Sequence, residues 1–392
     1  MRAISDVERR ARLGALHFPR GDSDDVAGVA DSLLGLHSSD PATVYLTVRA
    51  RMPGFETGDL ERALYDDRSL VRILGMRRTM WVVSSDIAPQ IHYSSTEALV
   101  AAQQRRTWKL VEDAGLTRHG QKWVTRACDA TIEALEELGP STALELRRQV
   151  PQLREQLTVF KRDGGIAGTT GVSTRILFLL ATEGRVVRGR PRGTWLSSQY
   201  EWALYEQWLG SPRETTEPFL AQQAILERWL ERFGPATELD AKWWTGWAVT
   251  LVRKALDSIG AVPVETSEGV AYLAPGDVDP SQPDPWVAFL PGLDPSVMGW
   301  KQRNWYLGGH AGVVFDRNGN AGPTVMVDGR VVGVWAQLPD GRIVYHLLED
   351  LESARRREVD EHAAALEAWL SGYVVTPRFR TPLERRLAEG GV

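Results

Sequence analysis

The chain has 392 residues, 43% of them hydrophobic, a formal net charge of −5 and a single cysteine, Cys128. Its length allows roughly two to four compact units with real cores, while the lone cysteine excludes a disulfide framework or a paired-thiolate zinc site and the acidic balance argues against a nonspecific nucleic-acid coat. Residues 1–12 alternate acid and base and no stretch reaches the ~20 apolar residues that cross a bilayer, so a cytoplasmic protein without a membrane partner is expected.

Helices are expected over residues 5–16, 25–37 and 41–52, the second carrying Val26, Val29, Ala30, Leu33, Leu34 and His37 on one face. Between the second and third lies His37-Ser38-Ser39-Asp40-Pro41. Pro41 suits a first helical position and Asp40 or Ser39 the cap, which would leave His37 as a satisfied histidine on a buried face. The same cluster can instead face a groove, beside a helix N-terminus that keeps His37 neutral and able to accept a proton. His37 and Ser39 would lie about 200° apart on a continuous helix, so that second reading requires a break across residues 38–40. Residues 58–65 and 69–74 read as a helical pair and 78–83 as a strand, with Arg72, Arg77 and Arg78 bracketing Gly75. Helical connectors follow over 86–116, bearing Arg105, Arg106 and Lys109.

The chain then repeats itself: Glu137-Leu138-Gly139-Pro140-Ser141-Thr142 returns as Arg232-Phe233-Gly234-Pro235-Ala236-Thr237. Each copy follows an amphipathic stretch (131–138 and 224–233); the Gly-Pro breaks the helix, and the residues after it can start another. Third helices are expected at 175–182 and 248–259, then hairpins: 185–188 turning through 189–193 into 194–196, and 261–264 with 270–273. Three helices and a hairpin make a winged helix, and residues 1–116 read as a diverged copy. Residues 151–169 look like a loop-rich insertion. Arg185, Arg188, Arg190 and Arg192 crowd one wing, either as part of a basic face or as solvated arginines.

After a linker at 277–285 come expected strands at 286–290, 311–315, 324–327, 330–337 and 342–347, with hairpin turns at Asp328-Gly329 and Asp340-Gly341. They suggest a small barrel or curled sheet, followed by a helix at 351–370 and a basic tail. Asp294, before Pro295, is a turn cap or a functional carboxylate; His310 and His346 read as structural. The fifteen tryptophans read mostly as core, but Trp243, Trp244 and Trp247 cannot share one helix face, which leaves at least one at a surface or seam where bases could stack. Motifs for metalloproteases, dinucleotide and phosphate loops and nucleophile elbows are all missing, so neither metal nor cofactor is expected.

Taken in order, Leu36-His37-Ser38-Ser39-Asp40-Pro41, Met76-Arg77-Arg78-Thr79-Met80-Trp81, Phe233-Gly234-Pro235-Ala236-Thr237 with Ala241 and Trp244-Thr245-Gly246, Phe289-Leu290-Pro291 with Asp294, and Gly329-Arg330-Val331-Val332-Gly333 with Trp335 resemble the bacterial winged-helix DNA glycosylases of the AlkZ/YcaQ type, across essentially the whole chain. The resemblance implies an α+β fold: a first winged-helix unit with helical connectors (1–116), a second (117–216), a third (217–275), and a C-terminal β-barrel with a terminal helix (276–392), C-shaped around duplex DNA. It implies a monofunctional, metal-independent monomer that removes N7-alkylated purines, in some members bulky genotoxin adducts and crosslinks. The family's catalytic Gln-x-Gln or Gln-x-Asp falls on His37 and Ser39, a departure that leaves Asp40, one residue on, as the nearest carboxylate. In this scheme His37 is the base, Ser39 orients water, and Arg77, Arg78 and the wing arginines hold DNA. A noncatalytic damage sensor or transcription regulator on the same scaffold is the alternative.

Overall fold

The computed structural model describes residues 1–18, 25–160, 165–280 and 282–391. They form two compact units: residues 1–60 together with 223–392, and residues 61–222.

In the first unit, β1 (Arg2–Ala3) leads into α1 (Asp6–His17), opened by a capping box in which Ser5 and Glu8 satisfy each other's backbone N–H groups. α1 turns Arg9 and Arg12 inward, where Glu268 and Asp277 meet them at 2.9 and 2.7 Å. α2 (Val26–Ser32) stops short of the expected 25–37. Leu34 (φ 50°) and Gly35 (φ 112°) turn left-handed, and the Gly35 N–H returns to the Ala30 carbonyl at 2.7 Å, the usual closure of a helix on glycine. His37 consequently sits in the short β2 (Leu36–His37) rather than on a helix face. α3 (Pro41–Arg49) follows, then α4 (Thr57–Glu61).

In the second unit a helical turn over Arg62–Asp66 leads into β3 (Leu70–Leu74), where a helix was expected. All five of its residues are buried; a strand covered on both faces loses the apolar–polar alternation that would have marked it. β4 (Met80–Ser84) pairs back on β3, and α5 (Ala88–Ile91), α6 (Val100–Asp113) and α7 (Gly120–Leu138) follow. Next come β5 (Ser141–Thr142), α8 (Ala143–Gln149), a hairpin of β6 (Gln156–Phe160) and β7 (Ile166–Gly171), and α9 (Val172–Thr182). The expected loop-rich insertion is therefore largely this hairpin; its residues 161–164 lie outside the described residues. β8 (Val186–Pro191) returns through β9 (Tyr200–Leu204), not through 194–196, which form a turn closed by the Ser197 N–H on the Thr194 carbonyl. α10 (Tyr205–Leu209) closes the stretch. The strands line up as β4-β3-β8-β9-β5, and Val124, Cys128, Leu135, Leu146, Ile176 and Leu180 fill a core among α7, α8 and α9.

The first unit resumes with α11 (Pro218–Phe233), α12 (Glu238–Thr245), α13 (Val249–Ile259) and the hairpin β10 (Val262–Thr266) and β11 (Gly269–Leu273), whose β10 takes β1 as a parallel neighbour. The repeated motif does the same work twice. Thr142 caps α8 in a box with Glu145, and Thr237 caps α12 in a box with Asp240. Just before these caps, Ser141 pairs with Trp202 of β9 and Ala236 bridges to Tyr272 of β11.

β12 (Val287–Leu290) and the short α14 (Pro295–Met298), α15 (Asn304–Leu307) and α16 (Ala311–Val314) come next; α16 replaces the strand expected at 311–315. β13 (Thr324–Val327), β14 (Arg330–Gln337) and β15 (Ile343–Leu347) complete an antiparallel sheet in the order β12-β13-β14-β15. This sheet is open, and no sheet among the described residues closes into a barrel. α17 (Ser353–Trp369) packs on β12, and α18 (Pro382–Ala388) on β14. No described helix is long and apolar enough to cross a membrane.

Candidate functional site

The His37–Asp40 segment is fixed by what happens at the two ends of α3. At its start, Asp40 Oδ1 accepts from the Ala42 N–H at 3.1 Å, and Oδ2 accepts from the Arg378 N–H at 2.8 Å. Arg378 also donates through Nη1 to the Ser39 carbonyl at 3.3 Å. Burial pushes the Asp40 carboxyl above its ordinary range, against the opposing pull of these N–H donors. The carboxylate considered for catalysis is thus a helix cap and an anchor for a distant segment.

Beyond the other end of α3, Arg51 makes a buried two-pronged ion pair with Asp294, Nη1 to Oδ2 at 2.9 Å and Nη2 to Oδ1 at 2.8 Å. Its remaining N–H groups reach the His17 carbonyl, the Thr47 carbonyl and Ser296 Oγ, so all five donors are used. Asp294 Oδ1 also accepts from the Ser296 N–H, capping α14. At 0% exposure this carboxylate is out of reach of any substrate, which corrects its candidacy as a functional acid. His17 completes the cluster: Nε2 donates to the Arg232 carbonyl at 2.9 Å, which leaves Nδ1 to accept the Ser296 hydroxyl at 2.8 Å. Burial, reinforced by the Arg51 charge, lowers its pKa to about 3 and keeps it neutral. Nothing in the local sequence marked His17, Arg51 or Arg378, because their partners lie hundreds of residues away.

His37 and Ser39 both lie in the non-helical stretch between α2 and α3, so the break required for them to share a face comes earlier than residues 38–40. His37 is 3% exposed and its Nδ1 stands 3.5 Å from the Ser39 N–H. Ser39 is half-buried, and among the described residues its hydroxyl makes no hydrogen bond.

The arginines belong to the second unit. Arg77 (φ 55°) and Arg78 (φ 61°) form the tip of the β3–β4 turn in left-handed conformations that cost roughly 1–2 kcal/mol each for residues with a Cβ. Bonds from Gly75 N–H to the Thr79 carbonyl (2.9 Å) and from Arg78 N–H to the Gly75 carbonyl (3.1 Å) hold them there. Arg72 is not part of a surface patch: it is 1% exposed, bonded to the Tyr65 hydroxyl and stacked on the Tyr200 ring. On the wing, Arg190 meets Asp66 at 3.0 Å and Glu61 at 3.4 Å, Arg192 meets Glu145 and Glu201 at 3.1 and 3.2 Å, and Arg185 stands 4.0 Å from Asp129 and Glu183. Arg188 lies over the Tyr200 and Trp202 rings. Exposed pairs of this kind are worth about 0–1 kcal/mol. Of the tryptophan trio, Trp244 and Trp247 are buried and Trp243 is half-buried against the Arg303 guanidinium.

The family model described as DNA glycosylase AlkZ-like matches residues 30–369. No curated protein sequence matches the chain. Among solved structures, the Streptomyces sahachiroi DNA glycosylase AlkZ shares the fold with a TM-score of 0.72 at 20% identity, over 96% of this chain and 99% of that one. The family match runs from within α2 through α17 and takes in α3, the left-handed arginine turn and both Gly-Pro repeats, so the chain belongs to the AlkZ-like DNA glycosylase family.

Proposed function

We propose that this protein is a monofunctional DNA glycosylase that excises N7-alkylated purines from duplex DNA, on tandem winged-helix units. The observation that carries this reading is the family match over residues 30–369. The chemistry asks little of the protein. An N7-alkylpurine is cationic and leaves as a neutral base with the electrons of the C1′–N9 bond, needing no general acid. His37 takes a proton from the attacking water, Ser39 orients that water, and the new bond forms from its oxygen to C1′. Arg77, Arg78, Arg185, Arg188, Arg190 and Arg192 hold backbone phosphates.

One observation favours the alternative, a noncatalytic damage sensor: Asp40, the only carboxylate in the motif segment, is consumed by two N–H donors. A duplex containing a single N7-methylguanine, assayed for alkali-labile abasic sites under single turnover, separates the two. Excision that falls about 100-fold or more in His37→Ala, and less in Ser39→Ala, with duplex affinity unchanged, is the enzyme result. Tight binding by wild type with no abasic sites across several N7 adducts promotes the sensor.

A further inference from the structure

The first unit contains a cavity of about 670 Å³ between the C-terminal end of α3, the start of β12 and α17. That volume lies within the range of small-molecule sites. Its wall is aromatic: Phe18 stacks on Trp286 with ring centres 4.2 Å apart and planes 27° apart, and Phe289 and Leu366 continue the apolar surface. Most of the charge that reaches it is already used. Arg51 is spent on Asp294, Arg355 pairs with Glu358 at 2.6 Å and Asp328 at 3.0 Å, and His362 Nδ1 is bonded to the Glu358 carbonyl. Arg49 is the exception. It lines the cavity, is partly buried, and makes no hydrogen bond or ion pair among the described residues. A guanidinium withdrawn from water without an acceptor is costly, and an anion entering the cavity would relieve that cost.

We propose that this cavity binds a small aromatic monoanion, a flat apolar ring system bearing one carboxylate or sulfonate, with the anion on Arg49 and the ring against the Phe18–Trp286–Phe289 wall. The proposal is independent of the glycosylase reading, since neither His37 nor the arginines of the second unit line the cavity.

The test is titration of the full chain with 8-anilinonaphthalene-1-sulfonate, followed by fluorescence and calorimetry, beside the uncharged N-phenyl-1-naphthylamine. One equivalent of the sulfonate should bind, and 1-naphthoate should displace it. Arg49→Gln should weaken the sulfonate about 10-fold or more and leave the neutral probe unchanged. Ala365→Trp, at an exposed position of α17 on the cavity rim, should abolish binding of both. Near-UV circular dichroism of the tryptophans reports whether each variant is folded; if Ala365→Trp is not, the contrast between the two probes in Arg49→Gln decides alone. Absence of stoichiometric binding by folded wild type, or equal sulfonate affinity in wild type and Arg49→Gln, overturns the proposal.

Discussion

Removing the carboxylate of Asp294 would leave Arg51 charged, dry and short of two acceptors. Breaking a buried pair from one side costs about 3–5 kcal/mol, so Asp294→Ala should lose that much stability in urea denaturation, whereas Arg51→Met with Asp294→Leu should recover a large part of it. His17 in the same cluster makes stability depend on pH. Folded, it stays neutral down to about 3; unfolded, it takes a proton near its ordinary 6.5. The unfolded chain therefore binds more protons between those values, and stability falls as pH drops through that window, by up to about 1.4 kcal/mol per pH unit. His92, lowered to about 4 by burial, acts in the same sense in the second unit. Denaturation midpoints from about pH 6.5 to 4.5 should slope less in His17→Asn than in wild type; equal slopes would remove His17 from the account. The sequence marked Asp40 and Asp294 as candidate caps, which is the role both take, but could not mark Arg51, whose partner Asp294 lies 243 positions away.

At the level of elements, the Gly-Pro repeat was legible because its capping chemistry is local, within four consecutive residues of each copy. The two caps differ in burial. Thr142 is half-buried, whereas Thr237 is 5% exposed, its Oγ lies 2.6 Å from Gln302 Oε1, and its partner Asp240 also accepts from the Lys301 and Gln302 N–H groups. Thr142→Ala should cost about 1 kcal/mol in thermal unfolding and Thr237→Ala more than that. The elements that were misread are ones whose pattern is ambiguous. β3 lacks alternation, α16 is too short to show a period, and the apolar spacing of α2 runs on to His37 although Gly35 has already ended the helix. On the wing, Arg188 and Arg190 replaced together by alanine should weaken duplex binding and reduce the slope of log affinity against log salt by about 2, read by anisotropy from about 50 to 200 mM salt. An unchanged slope would mean that the acids and rings already beside these arginines keep them from phosphate.

For the whole molecule, the sequence order hides the way the chain is divided. Residues 61–222 are contiguous and have a core of their own, so expressed alone they should unfold cooperatively, with helical and strand signals in far-UV circular dichroism. Non-cooperative melting of that fragment would show that it depends on the remainder. Residues 1–60 belong instead with 223–392, through contacts such as Arg9 with Glu268 that no local pattern announces. The hold of Arg378 on Asp40 has a further consequence, in the timing of biosynthesis. A ribosome makes the His37–Asp40 segment 338 residues before its clamp, at about 5–20 residues per second. The segment must wait many seconds for the residue that secures it, with 61–222 free to fold in the interval. A nascent chain stalled before residue 378 would carry the segment without its fastening.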